Sequence, residues 1–163
     1  MRVLGLDPGT ATTGYGLVEQ RNGRLYHIAH GVISTPPKTP FEERLTTIYD
    51  DTRALIAKHK PDAVGLEKIY FKQNVTTGIT VAQARGVLAL AVAQSALSIR
   101  ELSPADVKKG VVGYGKATKQ QVQEMVKTLL NLTDLPRPDD AADALAIAIC
   151  TLHAGRFGNV LQA

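Results

Sequence analysis

Residues 2–34, RVLGLDPGTATTGYGLVEQRNGRLYHIAHGVIS, decide the fold. The stretch opens with a short apolar run, 2–7, that ends in the acid Asp7 and is stopped by the breaker pair Pro8-Gly9. Residues 14–20 and 24–34 read as two further strands. They are joined at Asn22-Gly23, a dipeptide that suits a two-residue hairpin because both positions tolerate positive φ. Three meandering strands are therefore predicted before the first helix.

Beyond the prolines of residues 35–40 the period changes. Leu45, Ile48, Leu55 and Ile56 recur at near-helical spacing with charges between them, which predicts a helix over 41–60. Pro61-Asp62 breaks the chain before 63–67 (AVGLE), a short buried strand that again ends in an acid, Glu67. Residues 74–97 predict a long helix rich in small side chains, 98–102 a last strand, and 104–112, 117–130 and 139–153 three closing helices. A meander followed by β-α-β and helices makes a five-stranded mixed α/β sheet flanked by helices.

The chain has 163 residues, 44% of them apolar and 21% charged, which is the composition of one folded domain and excludes a disordered chain. Residues 154–163 read as a flexible tail. One cysteine, Cys150, excludes an internal disulfide and a cysteine-built zinc site, and it reads as a small core side chain. The apolar run 82–97 is interrupted by Gln83, Arg85 and Gln94, short of the roughly 18 residues that a membrane span needs. No secretory leader is legible, so the expected location is the cytoplasm. Nineteen Lys and Arg against fifteen Asp and Glu give a net charge of +4, which suits a polyanionic partner. The four histidines, His27, His30, His59 and His153, are scattered and match no motif.

Asp7 and Glu67 end strands, and the carboxyl ends of strands are where α/β sheets bind ligands. Asp7 also reads as a turn residue before Pro-Gly, whereas Glu67 ends a segment expected to be buried, where a lone carboxylate is costly. Asp140 and Asp143 lie three apart on one face of a helix that is apolar almost all round. They read either as first-turn acids favoured by the helix dipole or as acids facing a shared polar pocket. Oxygen-only ligands without His or Cys suit Mg²⁺ or Mn²⁺, and four converging carboxylates suit two-metal phosphoryl transfer.

Four blocks, LGLDPGTATTGYGLVE, VGLEKIYFKQNVTTGITVAQARGV, VKKGVVGYGKATKQQVQEMV and DDAADALAIAI, together resemble the RuvC family, the bacterial Holliday junction resolvases. The resemblance runs from residue 2 to about 153. It implies a ribonuclease-H-like fold, a homodimer, and paired symmetric nicks in a four-way junction during recombination and repair. It also implies products with 5′-phosphate and 3′-hydroxyl ends, and the RuvA–RuvB branch-migration complex as partner.

By that resemblance Asp7, Glu67, Asp140 and Asp143 are the catalytic acids that hold two Mg²⁺ or Mn²⁺ ions. Some relatives carry His where this chain has Asp140, and Asp139 lies beside it. Tyr70 matches the position of an aromatic that stacks on junction bases, with Phe71 next to it. Lys108 and Lys119 match basic positions at the scissile phosphate, while Lys72 and Lys116 are expected to contact phosphates more generally. The small residues Gly78, Ala82, Gly86, Ala89 and Ala93 would line the dimer interface. The Asp7-Pro8-Gly9-Thr10 loop alone also resembles the first phosphate loop of sugar kinases and actin-like proteins. Their second domain has no room in a chain of this length, and that resemblance leaves Asp140 and Asp143 without a role.

Overall fold

A computed structural model of the chain describes residues 1–70 and 75–158. The strands are β1 (Arg2–Asp7), β2 (Thr12–Arg21), β3 (Arg24–Ser34), β4 (Ala63–Glu67) and β5 (Ile99–Leu102). The helices are α1 (Phe41–His59), α2 (Val75–Ala93), α3 (Pro104–Val112), α4 (Lys119–Leu129) and α5 (Asp139–Gly158). The five strands form one sheet in the order β3-β2-β1-β4-β5, antiparallel through the meander and parallel from β1 to β5.

Alternation along the strands sorts two cores. Val3 of β1, Val18 of β2 and Ala63 of β4 face α5 with α3 and α4, while Leu4, Leu6, Leu17, Val64 and Leu66 face α1 and α2. Fully burying each of these valines and leucines is worth about 1.5–3 kcal/mol. The same period of two fixes the acids. Asp7 follows Val3 and Gly5, and Glu67 follows Ala63 and Gly65, so both carboxylates leave the sheet on the α5 face. Leu6 pairs with Leu66 in parallel register, which sets the two acids side by side.

The first helix starts with Glu42 and Glu43 and ends with Lys58 and His59, matching the helix dipole at both ends. Ser103 with Asp106 and Thr118 with Gln121 form capping boxes that start α3 and α4. Boundaries differ from the sequence reading by one or two residues at several element ends, and by more at the ends of α2 and α5. β2 begins at Thr12 rather than residue 14, since its backbone pairs with β3 from the first residue after the loop. α2 ends at Ala93 rather than 97, because the chain turns through Ala96 at φ 56°. α5 runs to Gly158, so residues 154–158 continue the helix instead of starting a tail.

α2 also corrects the membrane reading. Taken from Thr76 to Ala93 it excludes Gln94 and is, by length and composition, apolar enough to span a bilayer, yet only 22% of that window is buried in the chain. Cys150 is buried, its thiol faces the Asp106 carbonyl oxygen at 3.3 Å, and burial pushes it up to about 11, as expected of a packing residue. His27 and His30 are hydrogen-bonded to each other at 2.7 Å.

Candidate active site

The site is built where α5 crosses the carboxyl ends of β1 and β4. A lane of glycines lets the helix lie directly on the sheet. Gly5 is paired with both Gly16 and Gly65 in the sheet, and Gly14 is paired with Asp7. A Cβ at Gly14 would stand 2.0 Å from the Asp140 carbonyl oxygen, and one at Gly5 2.1 Å from that of Ala144. Backbone therefore meets backbone, and the first turn of α5 is pressed down beside Asp7.

Carboxylate oxygens of Asp7, Asp140 and Asp143 all lie within 4.8 Å of one another. Glu67 stands outside that trio, at the end of the neighbouring strand, close enough for its charge to bear on Asp7. Asp139 is turned outward instead: its carboxylate accepts from Arg137 at 2.9 Å and from the Gln123 amide at 3.2 Å. The helical geometry thus assigns Asp140, not its neighbour, to the cluster. Lys119, at the start of α4, donates to Asp143 at 3.0 Å and lies 3.5 Å from Asp139.

Burial dominates the electrostatics. It raises Asp7 to about 8, helped by the charges of Glu67, Asp143 and Asp140 and opposed by Lys119. Burial also raises Glu67 and Asp143, with the Asp143 charge adding to the first and the Lys119 bond opposing the second. Burial is the largest single influence on Lys119 and works against its charge, but its bond to Asp143 and the charges of Asp143 and Asp139 together outweigh this and hold its pKa above the ordinary value. Asp7, Glu67 and Asp143 therefore hold protons more tightly than ordinary carboxyls, a hold that bound cations would release. The donor set is all oxygen, so these residues fit hard divalent cations.

Two polar residues to which the sequence reading gives no role at the site hold the acids in place. Thr12 donates its hydroxyl to Asp140 at 2.6 Å. Arg85 of α2 donates Nε to the Glu67 carbonyl oxygen at 3.1 Å and pairs with Glu101, which pins the exit of β4. Thr12 shares the face of Gly14 and Gly16, and Arg85 is the only charge in its apolar helix; these were the available signals.

The expected DNA-facing residues fare differently. Tyr70 is 55% exposed at the end of the strand-exit segment that carries Glu67 and Lys68. Phe71 and Lys72 lie outside the described residues. Lys116 is exposed in the loop before α4. Lys108, half-buried in α3, makes no ion pair with the four acids among the described residues, so of the two lysines only Lys119 is brought to the cluster.

A family model described as crossover junction endodeoxyribonuclease RuvC matches residues 3–151. The chain is 52% identical over 158 residues to the protein so named from Heliobacterium modesticaldum, covering 97% of this chain and 98% of that one. It is 51% identical over 162 residues to the one from Chloroflexus aurantiacus, covering 97% and 99%. Among solved structures, Thermus thermophilus RuvC in complex with a Holliday junction substrate superposes with a TM-score of 0.92 at 31% identity, over 97% of this chain and 96% of that one. The yeast mitochondrial Holliday junction resolvase Ydc2, at 18% identity and a TM-score of 0.67, shares the fold. On a family model that spans nearly the whole chain and relatives about half identical to it, the chain belongs to the RuvC family of crossover junction endodeoxyribonucleases.

Proposed function

We propose that the protein resolves four-way DNA junctions by paired symmetric nicks, leaving 5′-phosphate and 3′-hydroxyl ends, as a single nuclease domain acting in the cytoplasm in recombination and repair. The observation that carries this reading is the convergence of Asp7, Asp140 and Asp143 within 4.8 Å, with Glu67 ending the strand beside Asp7. Asp7, Glu67, Asp140 and Asp143 are the residues that would hold two divalent ions, Mg²⁺ or Mn²⁺. The chemistry such ions would supply there is activation of a water for in-line attack and an offset to charge on the phosphate and the departing 3′-oxygen.

The chain's own groups do the rest. Thr12 fixes one oxygen of Asp140, and Arg85 fixes the backbone that presents Glu67. Lys119 leaves its carboxylate partners for the scissile phosphate as DNA enters, since a phosphate offers a charge-assisted bond of equal kind. Tyr70, with Phe71, stacks on an unpaired base at the crossover, worth about 1–3 kcal/mol and indifferent to sequence. Lys72, Lys108 and Lys116 contact backbone phosphates, which position the junction without reading bases. The RuvA–RuvB branch-migration complex supplies the junction, on the strength of the family alone.

Two symmetric cuts need two copies of this site, and the outer face of α2 suits an isologous pairing. Thr76, Ile79, Gln83, Gly86, Leu90 and Ala93 are exposed at alternating steps of three and four. Ile79 and Leu90 are each 51% exposed. This stripe keeps Gly86 and Ala93 from the small-residue set read in the sequence; Gly78, Ala82 and Ala89 are half-buried beside it. Leu90→Lys is expected to turn a two-chain species into single chains in sedimentation at micromolar concentration. A wild-type protein that sediments as one chain would remove the dimer.

The deciding experiment sets a synthetic four-way junction beside a matched linear duplex, each with Mg²⁺, Mn²⁺ or EDTA. Nicks at symmetric positions in the junction alone, absent in EDTA, are expected. Binding without cutting, or equal cutting of the duplex, would overturn the reading.

A further inference from the structure

The loop after β1 and the first turn of α1 enclose a cleft of about 530 Å³, whose lining includes Asp7 and Asp140 together with Thr10, Arg44 and Thr80. Lys119 and Asp143 are outside that lining. Arg44 is half-buried, and among the described residues no carboxylate lies within ion-pair distance of it, although Glu42 and Glu43 neighbour it in sequence. Its Nε donates to the Thr35 hydroxyl at 2.9 Å. Thr35 is 3% exposed, donates in turn to the Thr10 carbonyl oxygen, and its amide donates to the Ala11 carbonyl oxygen at 2.9 Å. One buried threonine therefore ties Arg44 and the 8–12 loop into a single unit.

Among the described residues Arg44 is held by Nε alone, which leaves its two terminal amino groups for a ligand, in the planar fork that matches two oxygens of a phosphate. Half-burial without a carboxylate partner is costly, and among the described residues neither Asp7 nor Asp140, which share the cleft, forms an ion pair with it. Those acids would repel a polyanion passing over them, so a DNA strand needs cations on more than the Lys119 side. We propose that Arg44 binds the backbone phosphate next to the scissile one and so holds the cleaved strand over Asp7 and Asp140. This rests on the junction-cutting reading above and adds a substrate contact that the four catalytic acids and the family's lysine positions do not include.

The test is single-turnover nicking of junctions in which each phosphate flanking the cut is replaced, one at a time, by a neutral methylphosphonate. Arg44→Gln is expected to slow nicking of the all-phosphate junction roughly 10–100-fold, the worth of one charge-assisted bond. Wild-type protein is expected to slow to a similar degree at one methylphosphonate position, and Arg44→Gln to be insensitive at that position. Arg44→Lys should fall between them and still respond. The slope of log affinity against log salt, measured in EDTA, should drop by about 0.7–0.9 for Arg44→Gln. Thr35→Val disturbs the loop but keeps the charge, so it should slow nicking while retaining the methylphosphonate response. Arg44→Gln that cuts at the wild-type rate, or that stays as sensitive as wild type at every position, would overturn the proposal. So would a Thr35→Val that reproduces the insensitivity, since positioning of the loop would then account for the effect. Failure of wild-type protein to nick any junction would instead overturn the resolvase reading, and this inference with it.

Discussion

Asp7→Asn is expected to reduce junction nicking by about 10³-fold or more, since the lost group is asked for several kcal/mol of charge stabilisation and each 1.36 kcal/mol is tenfold in rate. Affinity for the junction in EDTA should stay within about threefold of wild type, because it rests on phosphate contacts and junction shape. The same substitution should have an opposite effect on the metal-free fold. Asp7 titrates at about 8 in the folded protein against an ordinary value of 3.8, so the folded state binds this proton more tightly than the unfolded state does. Its contribution to stability is therefore greatest below pH 3.8 and is lost progressively as pH rises toward 8.

Asparagine removes that penalty. In EDTA at pH 8, Asp7→Asn should melt at least about 4 °C above wild type, at about 2–4 °C per kcal/mol for a domain of this size. At pH 4 the two should melt together. Adding Mg²⁺ or Mn²⁺ should narrow or reverse the gap at pH 8, because only wild type gains from ligand binding to the intact site. Calorimetry across these conditions checks the site without any nuclease assay. Equal melting at pH 8 would show that the carboxylates are not crowded as described, and wild-type nicking by Asp7→Asn would remove it from catalysis.

Much of this was legible in the sequence for a physical reason. Alternation along 2–7 and 63–67 encodes both the strands and the face on which Asp7 and Glu67 emerge, so two acids could be placed from a period of two. Spacing of three brought Asp140 and Asp143 to one helix face, and an apolar helix surface argued that the face was inward. What the sequence could not carry are relations across the sheet. Thr12 reaches Asp140 over 128 residues, and Arg85 reaches the Glu67 carbonyl between elements that propensity treats separately. Arg44 reads as one more charge on an amphipathic helix until Thr35 is seen to hold it. Lys108 shows the converse: a residue singled out by resemblance that the fold leaves without a bond to the acids, where only DNA could bring the two together. Helix ends were the weakest reading, because the stop of α2 depends on the turn at Ala96 and not on a breaker residue.

The glycine lane predicts the second large effect. Gly14→Ala places a Cβ 2.0 Å from the Asp140 carbonyl oxygen and 3.2 Å from the Ala141 nitrogen, both backbone atoms with no rotamer to yield. The helix must lift, and its first two turns are the part that carries Asp140 and Asp143. Gly5→Ala makes a similar clash lower down, 2.1 Å from the Ala144 oxygen and 2.7 Å from the Ala148 nitrogen. Both variants should lose at least about 3 kcal/mol, at or beyond the upper end of ordinary overpacking because backbone cannot repack. That corresponds to a fall of about 6–12 °C in melting temperature. Their activities should differ. Displacement of the first two turns moves the acids themselves, and a shift of about 1 Å in a catalytic group can remove about 10²-fold in rate. Gly14→Ala should therefore lose more nicking than Gly5→Ala at a temperature where both remain folded. Gly155→Ala, where a Cβ meets nothing within 4 Å, is the control on the same helix and should be neutral or stabilising by up to about 1 kcal/mol. A Gly14→Ala protein that melts and cuts like wild type would mean that α5 does not rest on the sheet at this point. The seating of Asp140 and Asp143 beside Asp7 would then need another cause.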